Sequence, residues 1–285
     1  MSYNAFERWQ RQASSRPILS IVIPTYNEAE RILPTIAAMA VSVSSITPDW
    51  ELIISDDGSK DGTIELVREL GWANLCVIHH ANTGKGGAVK RGMIAAKGDL
   101  VLFADADNST PIEELSRLIA EIRSGASIAI GSRAAQGALE QNRGLLRQFV
   151  SDGLRSLTRH VTGLRTRDTQ CGFKLFRNRV AQELFGLQRI DGFAFDLEIL
   201  YLARKFKHPV SEVGVKWFDA PGSKVDVMRD GLRFVRDLLV ILSNDTGGKY
   251  RKPQFRKHLS PKGGRHAFGH RHQLSTEPSQ SLRVR

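Results

Sequence analysis

Short runs of apolar residues alternate along the chain with segments in which apolar residues recur at helical spacing. The apolar runs end at Pro, Gly or a polar residue and predict buried β-strands at 19–24, 51–56, 75–79, 100–105 and 127–131. The segments between them predict α-helices at 28–40, 63–70 and 86–96 and a further helix beginning at Pro111. Near-continuous apolar strands are typical of a sheet covered on both faces. We therefore expect an α/β fold with a mostly parallel sheet and helices on both of its faces.

The end of the chain differs in composition from the rest. The segment 245–285 is rich in Gly, Pro, Ser, His and basic residues and shows almost no apolar periodicity, which is typical of disorder. We therefore divide the chain into an N-terminal extension at 1–17, one folded domain at 18–244 and a basic, disordered tail at 245–285.

The positive charge of the chain is concentrated in that tail. The 285 residues contain 41 Lys and Arg against 30 Asp and Glu, a formal net charge of +11. Residues 246–285 hold 10 basic residues and one acid, a net charge of +9, whereas residues 18–245 are neutral overall. Within that neutral part, 133–179 carries +7 and 49–69 carries −5. A tail of this kind suits an anionic lipid surface or a nucleic acid, and its composition does not separate the two.

Composition also excludes several classes of protein. A chain of this length can bury a sizeable core. Its two cysteines, Cys76 and Cys171, are far apart and form no CxxC pair, which excludes a disulfide scaffold and suits a reducing compartment. No apolar run reaches the roughly 18 to 20 residues that a membrane span needs, and residues 1–16 contain no apolar signal region. We therefore expect a cytoplasmic protein.

Acidic residues stand at the carboxyl ends of two predicted strands. Asp56 and Asp57 end one strand, and Asp105 and Asp107 follow another. Ligands of parallel sheets bind beyond these strand ends, where two acidic clusters repel each other unless a cation is present. Two carboxylates two residues apart can share Mg²⁺ or Mn²⁺, which completes its shell with substrate phosphates and water. The alternative for 105–107 is a solvated turn before the next helix.

A glycine-rich turn precedes the helix predicted at 86–96. Residues 82–87 (NTGKGG) do not match the Walker phosphate loop. A helix N-terminus that carries a lysine still offers N–H groups and positive charge to a phosphate, so Lys85 is a candidate donor ligand. A tight strand-to-helix turn is the alternative. His79 and His80 lack a third soft ligand nearby, and we interpret them as structural or surface residues.

Taken in order, these motifs resemble those of glycosyltransferase family 2. The resemblance rests on four segments: 23–28 (IPTYNE), 54–59 (ISDDGS), 82–86 (NTGKG) and 105–107 (DAD). Four more segments resemble one branch of the family: 131–133 (GSR), 162–164 (TGL), 168–174 (DTQCGFK) and 192–198 (GFAFDLE). That branch is the dolichyl-phosphate or polyprenyl-phosphate β-glucosyltransferases, which are close to the dolichyl-phosphate mannose synthases. The resemblance spans about 18–242.

The resemblance implies a GT-A nucleotide-diphospho-sugar transferase fold and a role for each matching residue. It implies that the donor is bound by eight residues: Pro24, Thr25, Tyr26, Glu28, Asp56, Asp57, Lys85 and Lys224. It implies that the metal is held by Asp105 and Asp107, and that the acceptor phosphate is gripped by Arg133, Arg147 and Ser151. The catalytic set is then Asp105, Asp107, Arg133 and Arg147. Position 109 departs from the pattern, because mannose synthases tend to have a Gln ligand there and this chain has Ser109.

A phosphate acceptor also agrees with the chemistry of the basic segment. A lipid phosphate has a second pKa of about 6, so it is already ionised near neutral pH and needs no general base. Guanidinium groups match phosphate geometry, and 133–167 contains seven arginines. A solvated basic helix face is the alternative. In-line attack at the anomeric carbon inverts it, which gives a β-linked product from an α-linked donor.

The expected function is therefore an inverting, metal-dependent transfer of a hexose from a nucleotide sugar to a polyprenyl or dolichyl phosphate. The resemblance implies glucose from UDP-glucose; GDP-mannose or a non-lipid acceptor is the alternative. Members of this branch often carry a hydrophobic anchor, which this sequence does not show. The amphipathic stretch 229–242 suits a membrane interface or packing on the domain. We expect peripheral contact with lipid at the cytoplasmic face of a membrane, and no nucleic-acid partner.

Overall fold

Strands and helices alternate through the first half of the chain, as the apolar pattern predicts. The computed structural model describes residues 2–140, 153, 158–218 and 227–251. In these ranges the strands are β1 (Leu19–Thr25), β2 (Trp50–Asp56), β3 (Leu75–His79), β4 (Leu100–Ala104), β5 (Ile128–Ser132), β6 (Leu139–Glu140), β7 (Phe173–Arg177), β8 (Val210–Gly214) and β9 (Lys216–Trp217). The α-helices are α1 (Ser2–Arg11), α2 (Ile32–Ile46), α3 (Thr63–Glu69), α4 (Lys85–Ala95), α5 (Leu115–Arg123), α6 (Asn178–Leu187), α7 (Phe195–Lys205) and α8 (Val227–Thr246). Residues 158–162 are also helical, and Ile112–Glu114 form a 3₁₀ turn before α5.

Seven of these strands form one sheet in the order β3-β2-β1-β4-β7-β5-β8. Strands β1 to β4 pair with one another in parallel, and β5 pairs in parallel with β8. Strand β7 is antiparallel to both β4 and β5. The prediction of a mostly parallel sheet is confirmed, and the apolar pattern gave no sign of the reversed strand. Strands β6 and β9 pair separately.

Alternate side chains of the central strands enter two different cores. Ile21 and Ile23 pack on the face covered by α1, α2, α3 and α5. Val22 packs on the opposite face, with side chains of α4, α6, α7 and α8. Because successive side chains of a strand point to opposite faces, a strand that is apolar throughout must be covered on both sides. The predicted helices on both faces are confirmed.

Helix α1 lies within the predicted extension at 1–17 and packs on the first of these cores. The ring of Trp9 stacks on that of Trp50, with centroids 4.2 Å apart and an interplanar angle of 8°. The Trp9 indole N–H donates to the backbone O of Trp50 over 2.7 Å. The Asn74 side chain in turn donates to the backbone O of Trp9. A buried tryptophan with its N–H satisfied anchors this helix to the sheet.

Helix α8 packs on the second core through its C-terminal half. Leu238 and Ile241 are buried there, whereas Leu232 and Leu239 are exposed over 72% and 61% of their area. The compact unit continues past this helix to Arg251, and Tyr250 is buried. In the described part of the chain, no helix has the length and apolar character that a membrane span requires.

Candidate active site

The carboxyl ends of β1, β2 and β4 lie together at one end of the sheet. Strand β1 lies between β2 and β4, and Thr25 is opposite Asp56 in register. The predicted site residues in 24–28, 56–57 and 105–107 lie in the last residues of these three strands or directly after them. The structure therefore brings the predicted nucleotide and metal residues to the place where ligands bind in open α/β sheets.

Asp105 presents a partly exposed carboxylate beside a lysine. Its Oδ1 lies 2.7 Å from Nζ of Lys85, and 28% of its side chain remains exposed. Its backbone N–H donates to the O of Gly172 over 3.0 Å. A Cβ atom at Gly172 would lie 1.9 Å from Oδ2 of Asp105. Glycine at that position therefore makes the room that the carboxylate occupies.

Asp107 is held by a tight turn of its own backbone. Its Oδ1 accepts the N–H of Ser109 over 2.9 Å, and Asn108 between them has a φ of +52°. Asparagine tolerates this left-handed conformation better than most residues, and an Asp that bonds two residues ahead forms an Asx turn. Ser109, where the family pattern of the mannose synthases has Gln, thus contacts the acidic pair through its backbone and fixes Asp107.

Lys85 is the first residue of α4 and faces the acidic pair. Burial disfavours its charged form, but the attraction of Asp105, and then of Asp196, is stronger and raises the pKa of the Lys85 ammonium above its usual value. Its Nζ also lies 5.6 Å from the centroid of the Phe103 ring and 5.9 Å from that of Phe193. The ammonium is therefore charged and is directed at the carboxylates.

Asp56, in contrast, is fully buried and bonded on every side. It accepts hydrogen bonds from Thr25 Oγ1 (3.0 Å), from the N–H groups of Gly58 (3.0 Å) and Ser59 (2.9 Å), and from the Ser59 hydroxyl; Nδ1 of His79 lies 2.8 Å away. Burial raises its pKa, but these hydrogen bonds, Ser59 first, outweigh burial and lower the pKa of Asp56 below its usual value. Asp56 therefore joins the ends of β1 and β3 to the loop that follows β2.

Asp57 joins the end of β2 to the turn before α4. It accepts the N–H groups of Thr83 (2.9 Å) and Gly84 (2.7 Å), the Thr83 hydroxyl and one guanidinium N–H of Arg91. Only 4% of its side chain is exposed. Because Lys85 follows Gly84 directly, this carboxylate positions the lysine that faces Asp105.

The remaining predicted residues of the nucleotide pocket lie around the end of β1. Pro24 and Thr25 are buried in the strand, and Tyr26 is exposed over 49% of its area. Glu28 forms an ion pair with Arg31. Hydrogen bonding to Glu28 outweighs burial and raises the pKa of Arg31, and the charges of Asp107 and Asp105 raise it further. Arg31, which lies outside the motifs predicted to form the site, is therefore a second cation that interacts electrostatically with the acidic pair.

Arg133 follows β5 and is engaged by a buried carboxylate. Its Nε and Nη2 donate to Asp168 over 2.7 and 2.9 Å, and its backbone N–H also donates to this residue. The guanidinium carbon lies 5.4 Å from the ring centroid of Trp217. Burial disfavours the charged form of Asp168, but the bonds from Arg133 are stronger and hold the pKa of Asp168 well below its usual range. Three other predicted residues, Arg147, Ser151 and Lys224, lie outside the described part of the chain.

A buried ion pair between Lys174 and Asp196 lies next to the segment that contacts Asp105. Neither residue was predicted from the sequence to act at the site. Nζ of Lys174 donates to the carboxylate of Asp196 and, over 2.6 Å, to the backbone O of Cys171. Lys174 is 1% exposed and Asp196 is 4% exposed. The Cys171 contact fixes the residue before Gly172, which in turn backs Asp105. The available signal was a charged residue inside an otherwise apolar run: Lys174 in 173–176 (FKLF) and Asp196 in 193–197 (FAFDL).

The acidic pair fits a divalent cation that has few protein ligands. Among the described residues, no group of three or more His, Cys, Asp or Glu side chains could hold a metal ion. Two carboxylates at one strand end are nevertheless the usual protein share of a Mg²⁺ site that is completed by phosphates and water. The positive Lys85 at 2.7 Å from Asp105 shows that the site attracts a cation.

Comparisons with known proteins agree with this geometry. The profile of glycosyl transferase family 2 matches residues 20–185. The chain is 36% identical over 256 residues to the dolichyl-phosphate beta-glucosyltransferase of Drosophila melanogaster, covering 84% of this chain and 78% of that protein. It is 34% identical over 258 residues to the Homo sapiens protein of the same name, covering 84% and 79%. It is 32% identical over 265 residues to the one from Saccharomyces cerevisiae, covering 85% and 79%.

Solved structures confirm the fold. Glucosyl-3-phosphoglycerate synthase from Mycobacterium tuberculosis in complex with UDP is similar with a TM-score of 0.61, covering 80% of this chain and 81% of that one at 19% identity. The same enzyme in complex with Mn²⁺, UDP and glucosyl-3-phosphoglycerate has a TM-score of 0.60 at 18% identity, covering 87% and 84%. The expected α/β fold of the GT-A type is therefore confirmed.

Proposed function

Because the chain belongs to glycosyl transferase family 2, we propose that it transfers glucose from UDP-glucose to the phosphate of dolichol or a related polyprenol. The product is a β-linked lipid-phosphate sugar, since transfer in one in-line step inverts the anomeric carbon. The observation that carries the proposal is the carboxylate pair at the end of β4, with Lys85 at the N-terminus of α4 facing it. The names of the relatives support glucose and the lipid phosphate.

The donor end of the site suits a nucleotide diphosphate. Asp105 and Asp107 would hold a divalent cation, which would neutralise negative charge on the departing diphosphate. Lys85 adds a positive charge at a helix N-terminus, where the backbone dipole also favours an anion. The structurally similar glucosyl-3-phosphoglycerate synthase was crystallised with Mn²⁺ and UDP, which supports Mn²⁺ or Mg²⁺ as the ion. Lys224 completes the donor contacts in this proposal.

The pocket for the nucleotide follows β1 and β2. Tyr26 is exposed there and presents a ring and a hydroxyl to the base or the ribose. Pro24, Thr25 and Glu28 shape the wall. Asp56 and Asp57 contribute by holding the neighbouring loops, because their carboxylates are already bonded to protein groups.

The acceptor phosphate binds on the basic side of the site. A phosphate monoester carries about −1.5 to −2 charges at pH 7, so its oxygen attacks without a general base. Arg133, Arg147 and Ser151 position it. The ion pair with Asp168 and the contact with the Trp217 ring fix the orientation of the Arg133 guanidinium before the acceptor arrives.

The acceptor implies contact with a membrane, and two exposed apolar groups support it. Phe193 is 71% exposed, and a Cβ atom at the preceding residue, Gly192, would lie 3.8 Å from Oδ2 of Asp237 in α8. Leu232 and Leu239 of the same helix are also exposed. We propose that this helix and the basic tail hold the enzyme peripherally at the cytoplasmic face of a membrane.

Transfer is tested with UDP-[¹⁴C]glucose, Mg²⁺ and dolichyl phosphate, with GDP-[¹⁴C]mannose and a water-soluble phosphate acceptor in parallel. We expect a lipid-extractable, acid-labile product from UDP-glucose. The absence of lipid product with either sugar nucleotide would contradict the proposal. Efficient transfer to the soluble phosphate would favour the alternative of a non-lipid acceptor, and mannose transfer would favour the alternative donor.

The acceptor role of Arg133 is tested in the same assay. Arg133→Ala should raise the KM for dolichyl phosphate at least about tenfold, because a guanidinium–phosphate contact is lost. The Kd for UDP, measured by calorimetry, should stay within about twofold. Asp168→Asn, which keeps the guanidinium, is the matched variant and should have the smaller effect. Loss of UDP binding in Arg133→Ala would move this residue to the donor site.

Membrane contact is tested by sedimentation with vesicles that contain anionic lipid. Replacing both Leu232 and Leu239 by Ser should lower the vesicle partition coefficient about a hundredfold, since each buried leucine contributes about 1.5 kcal/mol or more and every 1.4 kcal/mol is tenfold. Ile46→Ser is the control, because Ile46 is 50% exposed on α2, which packs on the other face of the sheet. Equal loss of binding in the control would contradict the assignment of this helix.

A further inference from the structure

Lys85 contacts Asp105 directly, so its ammonium lies where a metal ion bound to this carboxylate would also place positive charge. The ammonium lies 2.7 Å from Oδ1, close enough for an ionic hydrogen bond. Arg31 also interacts electrostatically with Asp105 and Asp107, but its guanidinium donates hydrogen bonds to Glu28. Of the two cations, Lys85 is thus the one that neutralises Asp105 in this structure.

A divalent cation on Asp105 and the ammonium of Lys85 would repel each other. Two positive groups that share one carboxylate lie within a few ångströms, where repulsion is strong because the surroundings are partly desolvated. The Lys85 side chain is 25% exposed and contacts two aromatic rings, so water screens the charge incompletely. Either the ion binds weakly or the ammonium moves away from Asp105.

Lys85 has a second anionic partner within reach when a donor is bound. It is the first residue of α4, and a diphosphate is favoured at such a helix N-terminus. The lysine side chain has a flexible stem of four carbons, so its ammonium can move several ångströms while the backbone stays in place. The rings of Phe103 and Phe193, whose centroids lie 5.6 and 5.9 Å from Nζ, favour a cation beside them.

We infer that Lys85 takes the place of the divalent cation at Asp105 while the donor is absent and transfers to the donor diphosphate when cation and donor bind together. This inference rests on the proposed function, because it takes the donor to be a nucleotide diphosphate. Its consequence is that the cation binds the empty enzyme weakly and the nucleotide-bound enzyme tightly. By reciprocity, the nucleotide binds more tightly in the presence of the cation.

The test uses Lys85→Met, in which an apolar chain of similar length faces the same two rings. Binding of Mn²⁺ alone is measured by electron paramagnetic resonance on the full-length protein, and binding of UDP by calorimetry at saturating Mn²⁺. We expect the variant to bind Mn²⁺ about tenfold more tightly than the wild type in the absence of nucleotide, because a competing charge is gone. We expect it to bind UDP with Mn²⁺ about tenfold more weakly, because a charged contact with the diphosphate is lost.

Two controls separate this exchange from a general effect. Lys85→Arg keeps a cation at the site and should bind Mn²⁺ as the wild type does. Lys97→Met removes an exposed lysine beyond the C-terminal end of α4, an 11-residue helix that begins at Lys85, and should change neither affinity. Lys85→Gln repeats the measurement if the Met variant is unstable.

Opposite changes in the two affinities are the signature of the exchange. A lysine that only supports the local structure would weaken both ligands or neither when replaced. Unchanged, weaker or absent Mn²⁺ binding by Lys85→Met and Lys85→Gln in the absence of nucleotide would overturn the inference. These measurements need no glucosyl transfer, so a negative transferase assay would count against the proposed function and leave the Mn²⁺ result standing.

Discussion

Two pairs of acidic residues stand at the ends of β2 and β4 in the same sheet, yet their surroundings differ. Asp56 and Asp57 are buried and bonded to the protein on all sides, from strands and loops on both flanks. Asp105 and Asp107 remain partly exposed, one beside an ammonium and the other in a short turn. The first pair holds loops together; the second keeps carboxylate oxygens available to a ligand.

The difference shows that the need of an acidic cluster for a cation depends on its hydrogen-bond donors. The negative charge of Asp56 is stabilised by hydroxyl and backbone N–H groups, and its pKa is lowered without a metal ion. Asp105 has a backbone bond to Gly172, but its carboxylate is neutralised by Lys85. Repulsion between acidic strand ends therefore argues for a metal only at the second pair.

The largest effect that tests this contrast is expected at Asp107. Asp107→Ala should lower kcat/KM by about 10³-fold or more, because it removes one of the two carboxylates that we propose as ligands of the cation. Its unfolding free energy should change by less than about 1 kcal/mol, since the side chain is partly exposed. Asp99→Ala, at the exposed opposite end of β4, should leave both unchanged. Activity within tenfold of wild type would show that Asp107 is not a ligand.

The reverse pattern is expected at Asp56, where stability should suffer most. Asp56→Ala leaves several buried donors without an acceptor, which should lower the unfolding free energy by about 3 kcal/mol. Urea unfolding followed by circular dichroism measures it. Asp49→Ala, just before β2 at the other end of the strand, is exposed and should change stability by less than about 0.5 kcal/mol. Equal stability of the two variants would remove the distinction between the acidic pairs.

A smaller effect is expected from pH. The folded-state pKa of Asp56 lies below the ordinary 3.8, so the fold favours the charged carboxylate. The stability that it contributes is fully present above that ordinary pKa and is lost as the pH falls through the lowered one. The difference in unfolding free energy between wild type and Asp56→Asn should therefore narrow below about pH 4. A difference that stays constant from pH 6 to pH 3 would mean that the fold does not lower this pKa.

The strands that the sequence predicted well, β1 to β5, are runs in which apolar residues predominate. Strands β1 to β4 are apolar runs separated by helices, and each pairs in parallel with another of this group. Strand β7 was not predicted, because Lys174 interrupts its apolar pattern. That lysine is buried only because Asp196, 22 residues later, supplies the opposite charge. A pattern confined to one segment does not contain such a partner.

Arg133 illustrates the same limit at the site. The resemblance to the family pointed to this arginine, and it remains a prediction for the acceptor site. Its ion pair with Asp168 joins residues 35 positions apart across a segment with no apolar pattern of its own. A partly buried guanidinium favours such a partner on physical grounds, but the sequence contains many carboxylates and does not show which of them lies near it.

The sequence by itself determined the α/β architecture, the order of the motifs and the identity of the residues at the strand ends. Apolar runs that are buried on both faces allow few arrangements, and parallel strands carry their carboxyl ends to one edge. Only the tertiary structure decided which aspartates are hydrogen-bonded to protein groups on all sides and which keep carboxylate oxygens available to a ligand. The number of donors around a carboxylate depends on loops from distant parts of the chain: Ser59 and His79 enclose Asp56, whereas Lys85 alone faces Asp105 among the ion pairs described.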